Sequence, residues 1–307
     1  MSLYESRLLT PPREEEEIAP YRPVWRAVVI EGAVMLLMAV VLFIAYRFLG
    51  IDVPQRFSAI VNIALALLPT LVWVMFSLRL ERRVPQPRQR LLTFYVLTIL
   101  GVNGVIVPLV HETFELNRWL PQADSASKLL GFAFTNGALN IALVYLMMRY
   151  ILWPAHIRTR LDMIAYSSVI AVAYATINGL RATAYEYPAA HLLAAQIFAD
   201  YTLMLTAGAV IGYGITESFF ANARAFTLPF VTIVAAMLMG IAHSVRSSLI
   251  SSRFGSDSIS GPNALFGFAP VFGLVFSTIF VVGVMLAAAF FYANAEQRER
   301  ESQATER

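Results

Sequence analysis

Six polar side chains stand inside long apolar stretches of this sequence, and their residue types could carry out chemistry. They are Asn136, Asn140, Asn178, Asp200, His243 and Ser247. At an α-helical rise of ~1.5 Å per residue, four predicted helices place such groups roughly 8–18 Å below the same surface, with Ser247 one turn beyond His243. Polar and ionisable groups at that depth are costly in lipid and mark candidate functional sites. The sequence therefore predicts one polar site shared by four helices.

The imidazole of His243 and the carboxylate of Asp200 are potential zinc ligands. Catalytic zinc takes three protein ligands and a water, and a further carboxylate must accept a proton from that water. These two residues supply two ligands, and the amides of Asn140 and Asn178 are poor substitutes. A structural interpretation competes with this one, in which the Asn side chains join neighbouring helices and Asp200 pairs with Arg246.

The composition is that of a membrane protein. Hydrophobic residues make up 58% of the chain and charged residues 14%, whereas a soluble domain carries about 25% charged residues. The absence of cysteine excludes disulfides, thiolate metal sites and a cysteine nucleophile. Basic residues lie in short loops rather than in a patch with interleaved aromatics, so we expect no nucleic-acid partner. The first 23 residues lack an apolar core, and we expect no cleaved signal peptide.

The helices that must position the polar groups follow from the length of each apolar run, because about 20 residues cross a bilayer. Eight spans are predicted, at 27–49, 57–79, 91–111, 128–151, 162–183, 191–216, 227–250 and 265–293. The predicted fold is an all-α polytopic membrane bundle of one domain, 27–293, between a tail at 1–26 and a tail at 294–307. Glu31 lies near the start of the first span and is expected to reach the membrane interface.

The basic residues predict the orientation of these spans. With the N-terminus in the cytoplasm, sixteen of the 23 Lys and Arg residues fall on that side and seven on the other. Cytoplasmic loops carry the excess of positive charge. We therefore expect an integral protein of a bacterial plasma membrane with both termini in the cytoplasm.

The fifth span, within 162–183, carries a stripe of small residues. Ser168, Ala171, Ala175 and Gly179 recur at spacings of three and four, which places them on one face of a helix. Small-residue faces allow close helix approach in lipid. This span is predicted to lie at the centre of the bundle. Gly208 and Gly212 in the sixth span form a GxxxG motif, which predicts a further close contact, either internal or with another protein.

Three short motifs follow one another between the fourth and seventh spans. Asp162 precedes the run AYSSVIAVAYATIN, residues 206–214 read TAGAVIGYG, and His243 is followed four positions later by Ser247. In these motifs the chain resembles the PrsW-type intramembrane metalloproteases and, more distantly, the wider clan of CAAX-processing membrane proteases. The resemblance covers about residues 128–250 and implies a helical membrane core with a metal site.

The catalytic residues that this resemblance implies are largely replaced. The helix expected to carry paired glutamates reads GALNIALVYLMM, with Asn140 as its polar residue, and the expected Glu-Asn pair is Ile177-Asn178. The expected His of the sixth span falls near Thr202, and the Asn or Asp after the last His is Ser247. The resemblance therefore predicts a relative that keeps the fold and lacks the catalytic acids.

Three functions remain open at this point. The first is a non-catalytic PrsW-like subunit or scaffold of a larger membrane complex, with the bilayer and other membrane proteins as partners. The second is an active metalloprotease with zinc at a rearranged site around Asp200 and His243. The third is a transporter of a small molecule or lipid that uses the polar pocket. No cofactor is predicted outside the protease hypothesis.

An aromatic ridge in the eighth span bears on the first of these functions. It consists of Phe268, Phe272, Phe276 and Phe280, at spacings of four. Residues at this spacing share one helix face, which suits lipid contact or docking of a partner helix or pigment.

Overall fold

The computed structural model describes residues 22–50, 53–77, 88–119, 123, 125–152, 162–220, 226–254 and 270–306. Helix is the regular structure of these residues. The helices are α1 (Arg22–Leu49), α2 (Gln55–Val72, continued by Trp73–Ser77), α3 (Arg88–Gly101, continued through Val102–Ile106 and Leu109–Thr113), α4 (Leu116–Trp119), α5 (Ser125–Phe132, Ala133–Ala138, Leu139–Met147 and Met148–Leu152), α6 (Asp162–Tyr185), α7 (Ala190–Phe220), α8 (Thr227–Phe254) and α9 (Pro270–Glu306). The continuing segments of α2 and α3, together with Ala133–Ala138 and Met148–Leu152, have the wide turn of a π-helix.

The prediction of a membrane bundle is confirmed. Within the described residues, eight helices are long and apolar enough to cross a membrane, and the short α4 is the exception. The span in α7 runs Ala190–Ser218 against a predicted 191–216, and the span in α9 runs Val275–Ala295. The predicted start of that last span at 265 and most of the tail at 1–26 lie outside the described residues.

The predicted tail at 294–307 continues α9 as helix to Glu306. Its sequence, from Glu296 onward, is rich in Glu, Gln, Arg and Ala, which are good helix formers. Glu296 and Arg300 also stand four residues apart, a favourable order for opposite charges on a helix. The helix therefore extends beyond the apolar span.

The central position predicted for the fifth span is confirmed in α6. Of its most apolar 18-residue window, 83% is buried inside the protein, whereas the corresponding value is 17% for α9. A Cβ added at Gly179 would lie 3.1 Å from Cβ of Ala66 in α2 and 3.2 Å from Cγ1 of Ile197 in α7. Close backbone approach, rather than bulky side chains, therefore holds α6 between its neighbours.

The GxxxG motif of α7 faces α6 and not another protein. A Cβ added at Gly208 would lie 2.9 Å from Oγ of Ser167, and one added at Gly212 would lie 2.7 Å from Cβ of Met163. As the number rises along α7 it falls along α6, so the two helices are antiparallel. The internal alternative for this motif is the correct one.

A second close crossing joins α5 to α8. A Cβ at Gly137 would lie 2.3 Å from the carbonyl oxygen of Ala236, and one at Gly240 would lie 2.2 Å from Cα of Ala133. Both contacts involve backbone atoms, which cannot move aside as a side-chain tip can. The crossing lies in the wide turn Ala133–Ala138 of α5, and it fixes the register of α5 on α8.

Consecutive spans alternate in direction. Tyr46 stacks on His191 with ring centroids 3.8 Å apart, which pairs the finish of α1 with the start of α7. Tyr292 near the finish of the α9 span bonds to Ala209 in the second half of α7. The start of α1 and the finish of α9 therefore share one end of the bundle, called here the terminal end, and the opposite end is called the far end.

Candidate functional site

His243 of α8 is joined to α6 by a side-chain hydrogen bond. Its Nε2 lies 3.3 Å from the hydroxyl oxygen of Tyr174, and the tautomer of the imidazole decides which atom donates. His243 is 8% exposed and Tyr174 is 4% exposed. Sequence reasoning missed Tyr174 as a partner. The available signal was its position one turn before Asn178, on the same face of α6.

Asp200 of α7 lies close to the level of this pair. The side chain is 1% exposed. Ile197 contacts α6 at Gly179, and in an antiparallel pair three residues further along α7 correspond to three residues back along α6. Asp200 is therefore level with Thr176, within about one helical turn of Tyr174.

The two asparagines of α5 bond to each other along the helix. Nδ2 of Asn140 donates to the backbone carbonyl oxygen of Asn136 at 2.6 Å. Oδ1 of Asn140 is buried and has no hydrogen-bond partner within the described part of the chain. Asn140 is three residues from Gly137 toward the terminal end, and His243 is three residues from Gly240 toward the far end. The two are thus about 9 Å apart along the helix axes.

The other predicted site residues are less engaged or lie outside the description. Asn178 is half-buried at the α6 surface. The backbone of α8 continues through Arg246 and Ser247, but their side chains lie outside the described residues. The predicted ion pair of Asp200 with Arg246 therefore stays a prediction.

Glu31 does not reach the membrane interface, and that expectation was wrong. Its side chain is 0% exposed, and the hydroxyl of Tyr201 donates a hydrogen bond to its Oε2 at 2.9 Å. The neighbouring Gly32 leaves room for the ring, because a Cβ there would lie 3.8 Å from Cε1 of Tyr201. The helix-end distance used for the prediction ignored α7, which covers this face of α1.

A chain of hydroxyl groups connects α3, α2 and α6. Oγ1 of Thr70 lies 2.6 Å from the hydroxyl oxygen of Tyr95 and 2.9 Å from Oγ1 of Thr176. The ring of Tyr95 also stacks on Trp73, with centroids 5.8 Å apart. The indole Nε1 of Trp73 is buried without a hydrogen-bond partner within the described part of the chain.

Together these residues form one layer across the bundle, called here the polar belt. It consists of Glu31, Thr70, Tyr95, Tyr174, Thr176, Asp200, Tyr201 and His243. Its hydrogen bonds connect α1 to α7, α2 to α3 and α6, and α6 to α8. They meet on α6 and α7 within residues 174–176 and 200–201.

The belt does not assemble a three-ligand metal site from the residues whose side chains are described. No three His, Cys, Asp or Glu side chains among them come close enough to hold one ion. His243 and Asp200 alone are fewer than the three protein ligands that catalytic zinc takes. The space beside them is a small groove between α7, α8 and α9, lined by Ala199, Leu203, Ala242, Ser277, Thr278 and Val281.

The aromatic ridge of α9 is described for half of its members. Phe276 is 64% exposed and Phe280 is 43% exposed. Phe268 and the side chain of Phe272 lie outside the described residues. The described half of the ridge faces away from the bundle.

Comparison of the chain with protein-family models, with curated proteins and with solved structures yielded no match.

Proposed function

We propose that this protein is a non-catalytic, PrsW-like integral membrane protein that serves as a subunit or scaffold of a larger membrane complex. The interior polar groups hold helices together, and the outer helices present apolar surface to lipid and to partner helices. The proposal concerns the whole membrane domain rather than a single reactive residue.

The observation that carries this proposal is the use of His243. Its Nε2 is engaged by the hydroxyl of Tyr174, a neutral group on the neighbouring helix. A histidine that serves as a metal ligand presents a nitrogen lone pair to the metal and orients the ring through its other nitrogen. The Tyr174 contact supports a structural use of this nitrogen, because it ties α6 to α8.

The rest of the polar belt supports the same interpretation. Glu31, Tyr201 and Asp200 are each 1% exposed or less, whereas hydrolysis needs a water beside the catalytic groups. Interhelical hydrogen bonds between Tyr, Thr and carboxyl groups are a common means of joining membrane helices.

The surface of α9 supports the partner part of the proposal. Phe276, Ile279 and Phe280 are exposed on consecutive turns, and Phe290 and Phe291 continue the aromatic surface along the helix. In a complex, such a face packs against a partner helix through aromatic and van der Waals contacts.

Purification from native membranes in a mild detergent, with metal analysis and identification of co-purifying proteins, tests the proposal. We expect stoichiometric membrane partners that are retained by His243→Ala and lost from the double variant Phe276→Ala/Phe280→Ala. The matched control is Leu130→Ala, which truncates a similarly exposed side chain (65%) on α5.

Each alternative function predicts a different result. Bound zinc, and a proteolytic activity that His243→Ala abolishes, would establish the metalloprotease and overturn the proposal. A partner-free protein that moves a small molecule or lipid across vesicles, with loss on Asp200→Asn, would establish the transporter. A single species without partners, metal or transport would also contradict the scaffold.

A further inference from the structure

The contact of Glu31 with Tyr201 has no place in the proposed scaffold beyond holding two helices. Glu31 is 0% exposed and Tyr201 is 1% exposed, and the hydroxyl of Tyr201 donates to Oε2 of Glu31 at 2.9 Å. The two residues are 170 positions apart in sequence, so the contact forms only when α1 docks on α7. A titratable group therefore lies at the contact between the first helix and the bundle core.

We propose that Glu31 and Tyr201 form a proton-binding site inside the membrane, in which Glu31 keeps its proton while α1 is docked on α7. Loss of that proton to water leaves a carboxylate at the contact and releases α1 from α7. The site binds one proton, and no other reactant takes part in the step.

The chemistry of the contact supports a neutral acid. A protonated carboxyl group can accept the Tyr201 hydrogen bond on one oxygen and donate from the other. Tyr201 contributes a hydrogen bond but no positive charge. Asp200, the preceding residue of α7, adds a second acid rather than a base, and two acids in one apolar region favour retention of a proton.

The remaining titratable groups on the helices packed against α1 are placed elsewhere along the bundle. Arg26 is an exposed residue of α1 itself, five positions before Glu31. On α2 there is Arg56 at the far end, and on α7 His191 stacks on Tyr46 near the same end. On α6 the groups are Asp162, Tyr166, Tyr174, Arg181 and Tyr185, of which Tyr174 contacts His243.

Infrared difference spectroscopy in lipid nanodiscs tests the protonation of Glu31 directly. We expect the wild-type protein at neutral pH to show the C=O band of a protonated carboxyl group, sensitive to D2O, which Glu31→Gln lacks. Tyr201→Phe removes the hydrogen bond to that C=O, so the band moves to higher frequency. Asp200→Asn is the control and keeps the Glu31 band.

The opposite spectrum would overturn the proposal. If Glu31→Gln removes the bands of an ionised carboxylate and no protonated C=O band, then Glu31 is charged in the docked state. If Glu31→Gln does not fold, the comparison of wild type with Tyr201→Phe decides alone, because an unmoved band contradicts a proton on Glu31.

Cross-linking tests the effect on docking. The chain has no cysteine, so Tyr46→Cys with His191→Cys introduces two unique thiols at a contact whose rings stack 3.8 Å apart. We expect the yield with a short thiol cross-linker to fall as pH rises in the Glu31 protein, relative to the same pair combined with Glu31→Gln. Equal pH profiles would show that the proton does not control docking.

Discussion

The hydroxyl of Tyr174 lies 3.3 Å from Nε2 of His243, and this contact connects α6 to α8 in the interior of the bundle. Because both residues are buried, loss of one partner leaves the other without its hydrogen bond in an apolar region. The same contact occupies the nitrogen that a metal site would need, so structural and catalytic uses of His243 give different results on substitution.

Tyr174→Phe removes the hydroxyl and keeps the ring. We expect a loss of about 0.5–2 kcal/mol in the free energy of unfolding, the range for interhelical hydrogen bonds in membranes and buried unsatisfied groups. Thermal unfolding in detergent measures this change. The control is Tyr150→Phe, at a residue 77% exposed, and equal effects of the two substitutions would contradict the buried contact.

Gly240→Ala is expected to disrupt the crossing of α5 and α8. The added Cβ would lie 2.2 Å from Cα of Ala133, so a backbone must shift, at a cost of about 1–3 kcal/mol or more. Gly283→Ala in α9 is the matched control, because a Cβ there meets nothing within 4 Å. That control should be neutral or stabilising by up to ~1 kcal/mol, since Ala is the better helix former. A Gly240→Ala protein as stable as the control would place α5 elsewhere.

Gly212→Val tests whether the GxxxG motif of α7 acts inside the protein. The side chain would enter the contact with Met163, and we expect lower stability with no change in oligomeric state. Light scattering in detergent reports the oligomeric state, and thermal unfolding reports stability. A stable protein that dissociates from a dimer would instead indicate an intermolecular motif.

The hydroxyl chain of Thr70, Tyr95 and Thr176 is testable with a double-mutant cycle. Thr70→Val and Tyr95→Phe each remove one end of the 2.6 Å contact, and their effects should be less than additive. We expect a coupling of about 0.5–1.5 kcal/mol, as for other interhelical pairs in membranes. Thr70→Val paired with Tyr150→Phe, on an exposed residue of α5, should show additive effects.

Much of the fold follows from local properties of the chain. A run of about 20 apolar residues crosses a bilayer whatever its neighbours are, which is why the predicted span 191–216 lies within the observed Ala190–Ser218. The small residues of α6 likewise predicted its central position, since a face without bulk favours close packing on both sides.

The prediction for Glu31 failed because it used one local quantity, the distance to the end of the helix. Exposure of a side chain depends on what packs against that face, and here α7 covers it. The same limit applied to the GxxxG motif, whose sequence predicts a close contact without naming the partner.

The sequence by itself therefore determined the number, length and apolar character of the spans, together with the identity of the polar groups inside them. The tertiary structure decided which polar groups meet: Tyr174 with His243, Tyr201 with Glu31, and Thr70 with Tyr95 and Thr176. The physical reason is that hydropathy sums over a single segment. A hydrogen bond between helices depends instead on the register and rotation of two segments, and close glycine contacts such as Gly179 and Gly240 set these only after assembly.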